Sequence, residues 1–171
     1  FISLVISVFF ATIISRLFLG SVPAFQIPTY EFQSLYEIIS YLVLGIISGL
    51  TAFLLIKSVY AFEAGFKRIK IPEYTKPALG GLLVGILGFI HPEVLGYGYA
   101  TIEEILNEGM LIHLALVLFV MKILAFSLTI GSGASGGIFS PALFIGAALG
   151  AAFGGILQQY FPGLTAPAGA Y

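Results

Sequence analysis

The sequence predicts an all-α integral membrane protein, a multi-helix bundle in which some helices cross the bilayer whole and others are tilted, broken or re-entrant. Three observations predict it. Of 171 residues, 59% are apolar and only 9% are charged, with a mean hydropathy of +1.08, whereas a water-covered domain carries roughly 25% charged residues. The charges are also bunched, with none from Ile38 to Ile56 and none after Lys122 through Tyr171; a helix needs about 20 apolar residues to cross a ~30 Å hydrocarbon core. Finally, short apolar runs are punctuated by Gly and Pro, and irregular backbone at membrane depth is tolerated only where it is packed in protein or lines a wet cavity.

The same composition excludes other classes. A net charge of −1 with no basic stripe gives no footing for nucleic acid. There is no cysteine, hence no disulfide, thiolate metal site or thiol nucleophile, and His91 and His113 stand far apart with no metal-ligand spacing around them. The chain opens at Phe1 inside an apolar run, without a basic n-region, and reads as an internal fragment of a larger membrane protein.

Taken in order, Phe1 to Leu19 is the first hydrophobic element (1–19), with Arg16 placed to snorkel to the headgroups and Gly20 and Pro23 as stops. A loop follows from Ser21 to Gln33, containing Pro28 and Glu31. Ser34 and Glu37 fit a capping box, and no proline interrupts Leu35 to Lys70, so 35–70 reads as one long helix of about 54 Å that must tilt or project into water. Lys57, Lys67, Arg68 and Lys70, with Lys76 soon after, mark its far end as cytoplasmic by the positive-inside rule, which leaves the loop around Pro28 outside.

Ala78 to Ile90 (78–90) spans only about 20 Å as a helix, and His91-Pro92 ends it. Val94 to Glu108 is more polar and interfacial, with a short amphipathic turn at 101–106. Met110 to Ile130 (110–130) is the next full span and contains Lys122; the glycine-rich segment 131–140 follows, then a last apolar helix over 141–159 that Pro162 stops. Three clear spans and two shorter or broken pieces result. Gly45 and Gly49, Gly81 and Gly85, and Gly146, Gly150 and Gly154 recur at the four-residue spacing that lets helices in lipid pack closely.

The strongest functional signal is Gly131-Ser-Gly-Ala-Ser-Gly-Gly137 and the residues after it. Gly131-x-Gly133-x-x-Gly136 satisfies the letters of a dinucleotide fingerprint, but an apolar span precedes it and no acidic residue follows; a phosphate loop fails for want of a closing Lys-Ser/Thr pair. What remains is physical. Glycines permit a sharp turn with exposed N–H groups, Ser140 suits an N-cap and Pro141 the first helical position, so the helix that begins there would aim its amides and positive dipole end into the turn. That is an anion site built from backbone, without a full charge to hold the ion too tightly; the plain alternative is a flexible loop between two spans.

The residues Gly131 through Gly146, with Gly137-Ile-Phe-Ser-Pro141 at their centre, resemble the Gly-x-Phe-x-Pro filter motif of the CLC chloride channels and chloride/proton antiporters. The approach Lys122 to Ile130 and the earlier Pro92-Glu-Val-Leu-Gly-Tyr-Gly-Tyr99 are also similar to that family. The resemblance implies the middle of a CLC-type membrane domain, from the last helix of the first half-repeat to the filter helix of the second. It implies chloride held by the amides of Ile138 and Phe139, with Gly136 and Gly137 as the turn that presents them and Ser140 beside them. It further implies a homodimer joined through the first helix, in a cell membrane, moving chloride or a similar small anion with no chemical transformation and no cofactor. Ser135 stands where some members have proline, and the family's gating glutamate, serine-bearing loop and coordinating tyrosine would lie outside these residues.

Two further features compete. Leu95-Gly-Tyr-Gly98 has the letters of a potassium filter, which needs a pore helix before it and a span directly after it, whereas Thr101-Ile-Glu-Glu104 follows here. Lys122 is ionisable at mid-span, a functional candidate that raises the potential near an anion path or else reaches a carbonyl or an interfacial glutamate. His113 reads as interfacial, and Glu103, Glu104 and Glu108 as solvated.

Overall fold

The computed structural model describes residues 2–21, 30, 36–107, 110–161 and 166–171. Pro23, the greater part of the 21–33 loop with Pro28 and Glu31, Ser34 of the capping box, Glu108 and Pro162 lie outside the described residues. Among the described residues every regular element is helical: α1 (Ile2–Leu19), α2 (Tyr36–Arg68), α3 (Lys76–Ile90), α4 (Tyr99–Asn107), α5 (Ile112–Gly131) and α6 (Phe139–Tyr160), with short 3-10 turns at Glu73–Thr75, Pro92–Val94 and Ala168–Ala170. In a hydrocarbon solvent each backbone N–H and C=O must be satisfied within the segment, so these apolar runs become helices even where β-branched residues are common.

Four of the helices are long and apolar enough to cross a membrane, α1, α2, α5 and α6. The sequence suggested three clear spans and two shorter or broken pieces; the last apolar helix, α6, runs unbroken for 22 residues. The 33 residues of α2 extend about 50 Å. By contrast, α3 has 15 residues, about 22 Å, and stops where His91 turns extended while its N–H closes the helix on the Leu87 carbonyl at 3.0 Å. Gly20, at φ +78°, ends α1 by donating to the Arg16 carbonyl at 3.1 Å.

The bundle is organised around α5, which packs against α2, α3 and α6. Its buried positions Ala115, Leu118, Lys122 and Ala125 follow the three-and-four spacing of a single helical stripe. They meet Phe144 and Ala148 of α6, Val94 and Ile102 in one core, and Ile105, Ala151 and Ala152 in a second beside it. Near the end of α5, Gly131 lies against the backbone of Phe62 and Glu63 late in α2, so α2 and α5 run parallel; Gly155 of α6 lies against Ile112 at the start of α5, so α6 runs back the other way. None of the residues of α1 is buried.

The small residues at four-residue spacing are only partly used. Within this chain Gly45, Gly49, Gly81, Gly85 and Gly146 face open space, while Gly150 and Gly154 meet the C-terminal residues Tyr171 and Ala168. Comparably close approaches occur outside that series, at Gly80 against Ser132, Gly88 against Leu95, Gly98 against Phe144 and Gly131 against α2. Spacing on one helix does not say which face a neighbour covers, and along α2 and α3 the neighbours arrive on other faces.

Candidate anion site at the start of α6

The segment 131–138 is more ordered than a loop of small residues suggests. After α5, Gly133 at φ +86° donates to the Ile130 carbonyl at 3.0 Å and Ala134 to the Thr129 carbonyl at 3.2 Å. This pair of bonds is a Schellman cap, which satisfies carbonyls that the end of a helix otherwise leaves bare. Thr129 and Ser132 add to it, their hydroxyls donating to the Ala125 and Thr129 carbonyls at 2.7 and 2.9 Å. Only Ser135, Gly136 and Gly137 then remain as an exposed lead into α6.

Helix α6 begins two residues earlier than expected, which corrects the placement of its cap. Ile138 occupies the N-cap position and its carbonyl takes the first helical bond, from Ala142 at 3.2 Å; no side chain caps the end. Ser140 is therefore inside the first turn, and its hydroxyl donates to the Tyr97 carbonyl at 2.9 Å. Pro141 falls at the third helical position, still in the turn where its lack of an N–H removes no bond. The N–H groups of Ile138, Phe139 and Ser140 precede the first intrahelical bond, so none has an acceptor within the helix. Ile138 and Phe139 are 69% and 78% exposed, and their amides stand at the positive end of a 22-residue dipole.

Gly136, Gly137 and Ser140 share a cavity of about 270 Å³ with Tyr97, Lys122 and Thr129. Lys122 is 3% exposed. Its ammonium donates to the carbonyls of Val94 at 2.7 Å and Gly96 at 3.0 Å and stands 4.6 Å from the centre of the Phe144 ring. Of the fates open to it from sequence, it takes the carbonyls rather than a glutamate. The same bonds bear on the potassium-filter letters at 95–98, because the Gly96 and Tyr97 carbonyls are occupied by Lys122 and Ser140 and do not converge as bare cation ligands. Among the described residues, no group of three His, Cys, Asp or Glu side chains is arranged to hold a metal ion. His113 and Glu104 are exposed and Glu103 is partly so, away from this cavity.

The site therefore brings together Gly136, Gly137 and Ser140 in one cavity, with the side chains of Ile138 and Phe139 turned out beside it and their amides at the helix start. Sequence reasoning singled out Pro92 to Tyr99 but did not place Val94 to Gly98 at this site, which the segment touches through Tyr97. Gly96 and Gly98 within it adopt positive φ, +63° and +71°.

Comparison with known proteins adds a separate line. The family described as voltage gated chloride channel matches residues 1–171. The chain is 37% identical over 160 residues to a ClcB-like chloride channel protein of Ralstonia nicotianae, covering 94% of this chain and 37% of that protein. It is 38% identical over 168 residues to chloride channel protein CLC-f of Arabidopsis thaliana, covering 91% of this chain and 22% of that protein. It is 39% identical over 118 residues to the voltage-gated ClC-type chloride channel ClcB of Escherichia coli, covering 69% of this chain and 28% of that protein. The chain thus spans well under half the length of the curated relatives it matches.

Proposed function

Because the chain belongs to the voltage gated chloride channel family, we propose that it forms one wall of a membrane pathway for chloride or a similar small anion. The anion is held by the amides of Ile138 and Phe139, with Gly136 and Gly137 turning the backbone toward it and Ser140 at its edge. The observation that carries this reading is the start of α6, where three N–H groups have no intrahelical acceptor and the two residues at the tip are exposed. Several partial charges can replace an anion's hydration shell and still release it, which a buried full charge would hinder.

In this reading nothing is chemically transformed and no cofactor takes part. Residues 1–19 are the last helix of the first half-repeat, and the exposed apolar surface of α1 (Ile2–Leu19) serves a homodimer contact. The run of cations from Lys67 to Lys76 faces the cytoplasm of a cell membrane. Both channel and proton-coupled antiport are compatible with such a wall, since the coupling carboxylates of an antiporter would lie elsewhere in the full-length protein.

The test is the full-length protein in liposomes under a chloride gradient, with chloride efflux and internal pH recorded together. Chloride movement supports the reading. Protons driven uphill by it identify an exchanger, and their absence a channel. No chloride movement from protein that is folded and inserted overturns the reading.

A further inference from the structure

Two helices that are distant from it in sequence meet at the segment Val94 to Gly98. Helix α5 reaches it through Lys122, whose ammonium holds the Val94 and Gly96 carbonyls at 2.7 and 3.0 Å. Helix α6 reaches it through Ser140, whose hydroxyl holds the Tyr97 carbonyl at 2.9 Å. Phe144, one turn further into α6 and fully buried, lies against Gly98 and also beneath the Lys122 ammonium, 4.6 Å from its ring centre. With Val94 anchored in the core, the two glycines at positive φ leave Tyr97 between them with little stiffness of its own, so its position depends on what binds the neighbouring carbonyls.

We propose that Lys122 is a positioning residue for the anion site, acting through this segment. Its ammonium pins the Val94–Gly96 backbone, the pinned segment presents the Tyr97 carbonyl to Ser140, and that bond fixes the first turn of α6 whose amides face the ion. Lys122 does not itself touch the anion, because two of its donors are spent on carbonyls and the ring of Phe144 lies against the ammonium. Its charge is thereby kept near the path without becoming a trap, and removing it deprives the buried Val94 carbonyl and the part-buried Gly96 carbonyl of that donor. The proposal rests on the anion-site reading above, so the test needs one readout that does not depend on transport.

The experiment uses the full-length protein as wild type, Lys122→Met, Lys122→Arg and Ser140→Ala. Backbone hydrogen exchange is followed in peptides covering 94–98 and 136–140, and chloride-to-nitrate permeability is measured in liposomes. Lys122→Met is expected to speed exchange in both segments at least tenfold and to lower the chloride-to-nitrate ratio at least threefold, with Lys122→Arg returning both toward wild type. A purely structural lysine would change yield or melting temperature but leave the ratio intact.

Unchanged exchange at 136–140 in a monodisperse Lys122→Met protein overturns the proposal, and so does faster exchange with an unchanged ratio. If Lys122→Met fails to fold, Ser140→Ala decides: at least threefold faster exchange at 94–98 supports the linkage, and no change sinks it. If the wild type carries no chloride, the transport reading fails, while the exchange data still decide whether Lys122 holds the turn.

Discussion

The Gly98 backbone lies so close to the ring of Phe144 that a methyl group placed on it would overlap the ring. Gly98 also holds φ +71°. Two costs therefore add in Gly98→Ala: about 1–2 kcal/mol for a left-handed alanine and about 1–3 kcal/mol for overpacking against a ring with nowhere to move. Gly96, at φ +63° but facing open space, incurs only the first in Gly96→Ala. Thermal unfolding of both variants, followed as loss of monodisperse protein, is expected to place Gly98→Ala well below Gly96→Ala. Equal losses would show that the ring contact carries no weight.

The parallel contact of α2 and α5 is tested at Gly131, whose missing side chain lets the backbones of Phe62 and Glu63 approach. A valine there must push the helices apart, at a cost of about 1–3 kcal/mol. Gly65, three residues further along α2, has nothing near it. Gly65→Ala should instead be neutral or stabilising by up to about 1 kcal/mol, because alanine loses less backbone entropy in a helix. Melting temperatures that move in opposite directions for Gly131→Val and Gly65→Ala are the expected outcome.

These contrasts show what was legible in the sequence and what was not. The long apolar runs fixed the helices to within a few residues, because lipid leaves a backbone no alternative partner. The glycine-rich turn ahead of α6 was legible in Gly131 through Pro141, since glycine density and a following proline are local properties. Ser140 was misread as a cap because the alternative acceptor, the Tyr97 carbonyl 43 residues away, has no local signature. Lys122 was visible as an anomaly, but a choice between carbonyl and carboxylate depends on what packs across from it. The four-residue glycine spacing held for Gly150 and Gly154 and failed on α3 for the same reason: Gly81 has no neighbour, and it is Gly80 beside it that meets Ser132.

The anion reading makes a prediction that separates backbone from side chain. Ile138 and Phe139 present their side chains to the outside at 69% and 78% exposure, so Ile138→Ala and Phe139→Ala should change chloride binding only a few-fold. Replacing the Phe139 amide by an ester, which puts oxygen where the N–H was, deletes one charge-assisted donor worth about 1.5–3 kcal/mol. Chloride affinity measured by calorimetry is then expected to fall roughly ten- to hundredfold. An ester as harmless as the alanine substitutions would remove the amides from the site.

Orientation gives the last prediction, and it ties the charge pattern to the packing. The cations Lys67, Arg68 and Lys70 gather at the end of α2, and α5 runs parallel to α2 because Gly131 abuts Phe62 and Glu63. If the cationic end is cytoplasmic, then Lys70 lies inside, while His113, exposed in the first turn of α5 about 30 Å from its other end, lies outside. These 171 residues contain no cysteine, so thiols placed by Lys70→Cys and His113→Cys are new reactive groups, read against the unsubstituted protein. A membrane-impermeant thiol reagent on intact cells should label His113→Cys at once and Lys70→Cys only after the membrane is opened. The reverse pattern would place the cationic end outside, against the positive-inside bias. Labelling of both from one side would place the start of α5 on the same side as the end of α2, and so overturn the parallel α2–α5 arrangement on which the candidate anion site is hung.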